Sequence, residues 1–304
     1  MGLQLPKRAR KTGLWALVVP AVLALSACSD DAQDEWSRIA MPQGASDRSE
    51  HIIDFWQWTW LAAIIVGILT WGLILYAAFK FRRRSDDEVP VQTRYNLPME
   101  ILYTIAPVIV VLVFFKFVID TQNEVDAEVD EPAHVIKVVG QQWSWTFNYV
   151  DDPALGGSTD ADVCEDQTPG PDATCVFEVG TPAEIPTLYL PVDEPVRFEL
   201  SSPDVVHSFW VPAFNYKLDV IPGRDNAFEL TPTREGSYEG RCAELCGTYH
   251  SRMLFNVEIV SAAEYEEHLR GLAENPETTG IALGGSEAIT QDGLDAEEET
   301  EAGE

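Results

Sequence analysis

Two long apolar stretches, residues 55–79 and 101–119, set the strongest limit on how this chain can fold. At about 1.5 Å per helical residue, each is long enough to cross the roughly 30 Å hydrocarbon core of a bilayer. Lys116 is the one charge in either stretch, near an end where a lysine can extend its amine to the membrane surface. Pro107 is expected to bend or break the second helix locally. The sequence therefore predicts a transmembrane two-helix hairpin over residues 55–119.

The charges that flank these stretches predict how the hairpin lies in the bilayer. A basic segment, residues 80–84, joins the two stretches, whereas acidic residues precede the first and follow the second. By the positive-inside rule the basic segment is cytoplasmic and both outer ends face the other side. The rest of the chain after residue 119 is therefore expected outside the cytoplasm.

The N-terminus has the pattern of a secretion signal. Four basic residues between positions 7 and 11 precede an apolar run, and small residues lead to Cys28. This order is typical of a signal peptide, and its final cysteine resembles bacterial lipoprotein signals. We predict removal of residues 1–27, lipidation of Cys28 and an external segment over residues 28–54. The alternative is ordinary signal cleavage with an incidental cysteine.

Charge excludes one class of partner. The chain has 50 acidic and 20 basic residues and a formal net charge of -30, so nucleic acid is not an expected partner. Residues 274–304 contain ten acids and no basic residue, and such a segment buries too little apolar surface to fold alone. Residues 262–304 are therefore predicted to be a short helix, near 265–272, followed by a disordered acidic tail.

Between residues 132 and 261 the pattern changes to short apolar segments separated by proline and glycine. This spacing is typical of an all-β sandwich or barrel. We predict strands at residues 134–139, 143–150, 188–190, 196–200, 207–211, 227–230, 237–241 and 254–260.

Residues 151–182 are rich in Gly, Pro, Asp and Thr and are predicted to form an extended hairpin insert within this β-domain. The insert contains Cys164 and Cys175. Outside the cytoplasm a disulfide between them is the natural prediction, and it would close a loop of about a dozen residues. A second metal site is the alternative.

The loop at residues 241–255 holds the densest set of metal-binding side chains. Cys242, Cys246, His250 and Met253 lie within twelve residues. Thiolate and thioether sulfur are soft donors that favour copper, whereas zinc gains little from methionine. Two thiolates this close can bridge two metal ions, and His207 is the best candidate for a second imidazole. A disulfide between the two cysteines and a structural zinc site are the alternatives.

The pattern H…C-x-E-x-C-x-x-x-H-x-x-M resembles the binuclear copper site, CuA, of cytochrome c oxidase subunit II. The segments GQQWSW at 140–145 and KLDVIPGR at 217–224 also resemble that family, as does the upstream hairpin, in the same order. The resemblance covers roughly residues 52–260. It implies a cupredoxin-like Greek-key sandwich over residues 132–261, after the N-terminal transmembrane two-helix hairpin.

The resemblance also implies the roles of individual residues at the copper site. It assigns bridging thiolates to Cys242 and Cys246, one copper each to His207 and His250, an axial thioether to Met253, and a main-chain carbonyl ligand to Glu244. The Glu244 side chain is further expected to help hold a magnesium ion shared with subunit I. A plain hydrogen bond is the alternative for that carboxylate.

Two more residues receive roles from the resemblance. Trp143 is expected to lie exposed above the copper, where electrons enter. Glu100 opens the second span in a segment similar to the mouth of a proton-uptake channel, and the alternative is a carboxylate favoured by the helix dipole. In contrast, His51, His134 and His268 have no soft neighbours and are predicted to be ordinary surface residues.

Taken as a whole, the resemblance implies subunit II of a bacterial aa3-type oxidase, multi-pass in the cytoplasmic membrane, with its copper domain on the outer, periplasmic face. It would accept electrons from cytochrome c, or from a membrane-tethered c-type cytochrome. It would pass them to haem in subunit I, where oxygen is reduced and protons are pumped; subunit III is another expected partner. The acidic exterior suits a basic donor. The alternatives are a copper-binding lipoprotein and a scaffold subunit of a related quinol oxidase, which lacks the copper ligands.

Overall fold

The computed structural model describes residues 35–85, 87–129, 131–164, 172–181 and 183–282. The predicted signal peptide, Cys28 and residues 283–304 of the acidic tail lie outside these residues. The chain divides into two compact units, Met1–Gln43 and Gly44–Glu304. The described part of the first unit is a short helical turn, in which Ala40 N donates to Glu35 O at 3.1 Å.

Two long helices begin the second unit, α1 (Asp47–Lys80) and α2 (Leu97–Val125). Both are long and apolar enough to cross a membrane, and their most apolar stretches are not buried in the protein. This confirms the predicted hairpin, although each helix extends beyond its uncharged stretch at both ends. The extensions hold polar side chains that cap a helix, as where Asn96 Oδ1 accepts a hydrogen bond from Met99 N at 3.4 Å.

The second helix is continuous across Pro107, so the proline does not break it, and a bend there stays a prediction. Proline removes one backbone hydrogen bond, but the turns before and after it keep theirs.

The hairpin is fastened to the β-domain at the start of α1. Asp47 N donates to Thr231 O at 3.0 Å, and Thr231 N donates to Asp47 Oδ1 at 2.8 Å. The guanidinium of Arg48 donates to two carbonyl groups at the end of α2, those of Glu124 (2.6 Å) and Ala127 (2.8 Å). These contacts hold the ends of both helices against the domain that carries the predicted copper site.

The rest of the described chain is mainly a sandwich of two five-stranded sheets, in the orders β3-β2-β1-β5-β8 and β4-β10-β9-β6-β7. The β1–β5 and β4–β10 pairs are parallel and the other pairs are antiparallel. The chain crosses between the sheets, which confirms the predicted cupredoxin-like sandwich. The strands are β1 (His134–Gln141), β2 (Ser144–Tyr149), β3 (Val176–Val179), β4 (Thr187–Pro191), β5 (Val196–Ser201), β6 (His207–Val211), β7 (Tyr216–Val220), β8 (Asn226–Leu230), β9 (Gly236–Cys242) and β10 (Leu254–Val260). A helix, α3 (Ala262–Ala273), follows and contains the predicted short helix.

Two strands were absent from the sequence prediction, β3 and β7, and each forms the edge of a sheet. Edge strands are short and partly solvated, so their apolar alternation is weak. Because β3 pairs with β2, the last part of the predicted insert belongs to the sandwich. In the described remainder of the insert, the Asp151 carboxylate accepts a hydrogen bond from Ser158 N at 2.8 Å. A disulfide joins Cys164 to Cys175.

Of the three histidines predicted at the surface, one is buried and a second is half-buried. His134 is buried, with Nδ1 2.8 Å from Asp152 Oδ2 and Nε2 2.7 Å from Glu194 Oε2. His268 stacks on the ring of Tyr189 with centroids 3.7 Å apart. These partners come from distant parts of the chain, so the neighbouring residues in sequence do not reveal them. His51 is exposed, as predicted.

Candidate metal centre

Strand pairing brings the two halves of the candidate site together. Strand β9 ends at Cys242 and β10 begins at Leu254, so the ligand-rich segment is the loop between two paired strands. Cys242 N donates to Met253 O at 3.0 Å and closes the base of this loop. Strand β6 lies beside β9 with Phe209 opposite Cys242, which places His207, the first residue of β6, next to the loop.

Five side-chain donors converge there. His207, Cys242 and Cys246 each offer an atom within 4.8 Å of the other two. The donor distances are 3.9 Å for Cys242 Sγ to Cys246 Sγ, 3.8 Å for His207 Nδ1 to Cys242 Sγ, 3.5 Å for His250 Nδ1 to Cys246 Sγ, and 3.8 Å for Met253 Sδ to Cys246 Sγ. Met253 is fully buried, as is His207, so both donors are shielded from water.

The donor set fits copper better than either alternative. Cys242 and Cys246 are not bonded to each other, so the structure does not contain the disulfide. Met253 lies with its sulfur against Cys246 instead of serving only as core packing, and a thioether favours copper over zinc. The arrangement can therefore hold a soft metal with two thiolate, two imidazole and one thioether donors.

The electrostatics of the two thiols also fit a cation. Burial raises the pKa of Cys242, but hydrogen bonds with His207 and the neighbouring backbone outweigh burial and lower it to about 7. Burial, together with the negative charge of Cys242, raises the pKa of Cys246 to about 12. Cys246 is therefore protonated near neutral pH, and both cysteines can be thiolates there only with a positive charge beside them, which bound metal would supply.

The orientation of His207 is set by a residue that the sequence prediction missed. Asp204 Oδ1 lies 2.9 Å from His207 Nε2, and Asp204 Oδ2 accepts a hydrogen bond from Gln142 N at 2.7 Å. The first contact leaves Nδ1 of the imidazole facing the thiols, as is common for histidines that bind metals. An acidic residue three positions before a ligand-type histidine was the available signal.

The structure places Glu244 and Trp143 at the same loop. The carbonyl oxygen of Glu244 lies 3.2 Å from Cys242 Sγ, while its side chain is exposed. Trp143 is half-buried rather than fully exposed, and its Nε1 donates to Cys246 O at 3.2 Å. Gln142 Nε2 donates to the same carbonyl at 2.6 Å. The turn that contains Gln142 and Trp143 is thus hydrogen-bonded to the backbone of Cys246, a candidate ligand.

Glu100 is not part of this cluster. It lies in the first turn of α2, where its Oε1 accepts a hydrogen bond from Asn96 N at 2.9 Å. The contact caps the helix, in agreement with the alternative given for this carboxylate. A role at a proton channel stays a prediction.

Family models and individual relatives match this chain over most of its length, and all of them belong to one family. The family described as "Cytochrome C oxidase subunit II, periplasmic domain" matches residues 134–260, and its transmembrane-domain counterpart matches residues 34–118. The chain is 43% identical over 282 residues to the probable cytochrome c oxidase subunit 2 of Streptomyces coelicolor, covering 87% of this chain and 88% of the relative. It is 32% identical to cytochrome c oxidase subunit 2 of Corynebacterium diphtheriae, covering 89% and 87% respectively.

Among solved structures, the chain is similar to the periplasmic domain of subunit II of cytochrome oxidase of Bradyrhizobium japonicum. The two are 26% identical, with a TM-score of 0.37. The match covers 48% of this chain and 96% of that structure.

Proposed function

The chain belongs to the family of cytochrome c oxidase subunit II, and on this premise we propose that it is the subunit through which electrons enter a bacterial oxidase. It accepts electrons from a c-type cytochrome and delivers them to haem in subunit I, where oxygen is reduced and protons are pumped. The observation that carries the proposal is the convergence of His207, Cys242, Cys246, His250 and Met253. A copper-binding lipoprotein has no need of the hairpin, and a quinol-oxidase scaffold has no need of the ligands.

The proposed ligands divide into bridging, terminal and weak donors. Cys242 and Cys246 would hold both metals through their thiolates, His207 and His250 would bind through Nδ1, and Met253 and the carbonyl of Glu244 would be the weak ligands. When bound, the copper pair supplies one-electron redox chemistry with a charge shared over two metals.

The protein around these ligands restrains their movement. Asp204 holds the imidazole of His207 by its Nε2, and the backbone bond from Cys242 N to Met253 O holds the two ends of the loop. Burial of the sulfur atoms keeps water from competing as a ligand. A site that changes little between redox states transfers electrons with a small reorganisation cost.

Trp143 is the proposed point where electrons enter. Its indole is half-buried, and its hydrogen bond to Cys246 O connects it to a ligand by a short path. A net charge of -30 favours the approach of a basic cytochrome, whether soluble or tethered to the membrane.

Further features extend the proposal beyond the copper site. The Glu244 side chain is exposed, which suits the proposed magnesium ion shared with subunit I. Glu100 is proposed to lie near a proton channel in that subunit. Subunit III is a third partner. The copper domain faces the outer side of the bacterial cytoplasmic membrane, with Cys28 lipidated, as the charge pattern and the signal sequence favour.

Oxygen uptake by the purified oxidase complex, driven by reduced cytochrome c, tests the proposal. His207→Ala removes one imidazole donor, and we expect turnover to fall at least tenfold because metal affinity and the path to the metal are lost together. His51→Ala, an exposed histidine outside the cluster, is the matched control and is expected to keep parental turnover. If His207→Ala retains parental turnover, this subunit is a scaffold and the proposal is wrong.

A further inference from the structure

Trp143 has an aromatic neighbour on the ligand loop itself. The ring of Tyr249, directly before His250, meets the indole of Trp143 edge to face, with centroids 5.0 Å apart and planes at 87°. Tyr249 is 37% exposed, so this contact lies at the protein surface. Aromatic pairs favour this T-shaped arrangement and gain from it beyond the area they bury.

The backbone fixes Tyr249 relative to the metal ligands. Arg252 N donates to Tyr249 O at 2.8 Å, closing a turn that contains His250. The guanidinium of Arg252 also lies over the Tyr249 ring, 5.6 Å from its centroid, in a cation–π contact. The tyrosine ring therefore contacts both the Arg252 guanidinium and the Trp143 indole.

The loop is shaped to receive the indole. Gly247 has a φ of +121°, and a β-carbon at this position would lie 3.1 Å from Trp143 Cζ2. Most other residues avoid such a backbone conformation, so glycine both forms the turn and leaves space for the ring. The indole thus packs against Gly247, donates to Cys246 O, and makes a T-shaped contact with the ring of Tyr249.

From these contacts we propose that Tyr249 is a positioning residue for electron entrance, holding the Trp143 indole in the orientation that connects it to the ligand loop. The inference rests on the proposed function, because it assigns Tyr249 a task in that electron path. One electron passes from the reduced donor to the metal centre, and Tyr249 itself keeps its electrons and its phenol proton. Without the ring, only the hydrogen bond to Cys246 O and the contact with Gly247 remain to hold the indole, so its orientation is less restrained.

The test measures reduction of the metal centre by reduced soluble cytochrome c in the purified oxidase complex. For Tyr249→Leu we expect the second-order rate to fall about two- to tenfold, the range that follows from the strength of one aromatic pair. Copper content, the EPR spectrum and reduction by dithionite are expected to be unchanged. Tyr249→Phe retains the ring and is expected to restore the parental rate.

Two controls separate positioning from general damage. In a Trp143→Phe background, Tyr249→Leu is expected to slow the second-order reduction only slightly further, because the tyrosine acts through the indole. Tyr238→Leu removes a tyrosine in β9 that also lies beneath an arginine, Arg234 at 5.6 Å, and is expected to leave the rate unchanged.

A parental rate in Tyr249→Leu would overturn the inference, as would a Tyr249→Phe variant as slow as Tyr249→Leu. A Tyr249→Leu protein that loses copper would also overturn it, since the ring would then support the ligands rather than Trp143. Failure of the proposed function is a separate result, visible in the parental protein as the lack of a copper signal.

Discussion

The imidazole of His134 lies 2.8 Å from the buried carboxylate of Asp152, and its other nitrogen lies 2.7 Å from Glu194. A neutral imidazole has one N–H and cannot donate to both carboxylates, so this geometry indicates the protonated ring. Tyr265 of α3 donates to the same Asp152 oxygen at 2.8 Å. The cluster therefore joins the start of β1, the insert and the last helix.

We expect His134→Gln to lower the free energy of unfolding by about 3–5 kcal/mol, because it leaves the buried charge of Asp152 without its counter-charge. The measurement is chemical denaturation of the detergent-solubilised chain, followed by tryptophan fluorescence. His51→Gln, at an exposed position, should change the unfolding free energy by less than about 0.5 kcal/mol. Equal stability of the two variants would show that the buried pair contributes nothing.

The same cluster predicts how stability depends on pH. Burial lowers the pKa of His134, but hydrogen bonds and charges from Asp152 and Glu194 outweigh it and raise the pKa above the usual 6.5. A raised folded-state pKa gives a contribution that is fully present below 6.5 and is lost as pH rises through the folded value. We therefore expect the stability difference between the parental chain and His134→Gln to be largest below pH 6.5 and to shrink as the pH rises above it. A difference that grows with pH would contradict a protonated ring.

Replacement of Asp204 by asparagine tests the support of His207. An amide oxygen accepts a weaker hydrogen bond from His207 Nε2 than a carboxylate does. We therefore expect copper affinity to fall about 10- to 100-fold while the fold is kept. Competitive titration with a copper chelator measures the affinity, and circular dichroism checks the fold. Asp219→Asn, in β7, is a matched aspartate for comparison. An unchanged affinity in Asp204→Asn would mean that this carboxylate has no part in holding the ligand.

The Cys164–Cys175 disulfide is expected to stabilise the insert without affecting the metal. Its eleven-residue separation corresponds to about 3 kcal/mol in the chain-entropy account. The double variant Cys164→Ser with Cys175→Ser should lower the free energy of unfolding by about 3 kcal/mol and leave the copper content unchanged. A loss of copper in this variant would mean that these cysteines influence the ligand loop.

The sequence was most informative where one physical requirement dominates. An apolar stretch long enough to cross a bilayer predicted each helix, and the close spacing of Cys242, Cys246, His250 and Met253 predicted the loop donors. Helix ends beyond the apolar stretches were not predicted, because polar caps such as Asn96 determine where they begin.

Residues whose role depends on distant partners were predicted less well. His134 looks like a surface histidine until the fold brings Asp152 and Glu194 to its two nitrogens. Tyr249 is one more aromatic residue until β1 and β2 place Trp143 against its ring. The partners in these contacts lie 18, 60 and 106 residues apart in sequence, and no local pattern encodes them.

The central claim is that Cys242 and Cys246, 3.9 Å apart, hold two copper ions as one redox unit. The most direct measurement is EPR of the purified oxidase complex together with its copper content per subunit II. The account predicts two coppers bound by this chain and a seven-line hyperfine pattern, from one electron shared equally over two nuclei. A single bound copper with a four-line pattern, or no copper on this chain, would contradict it.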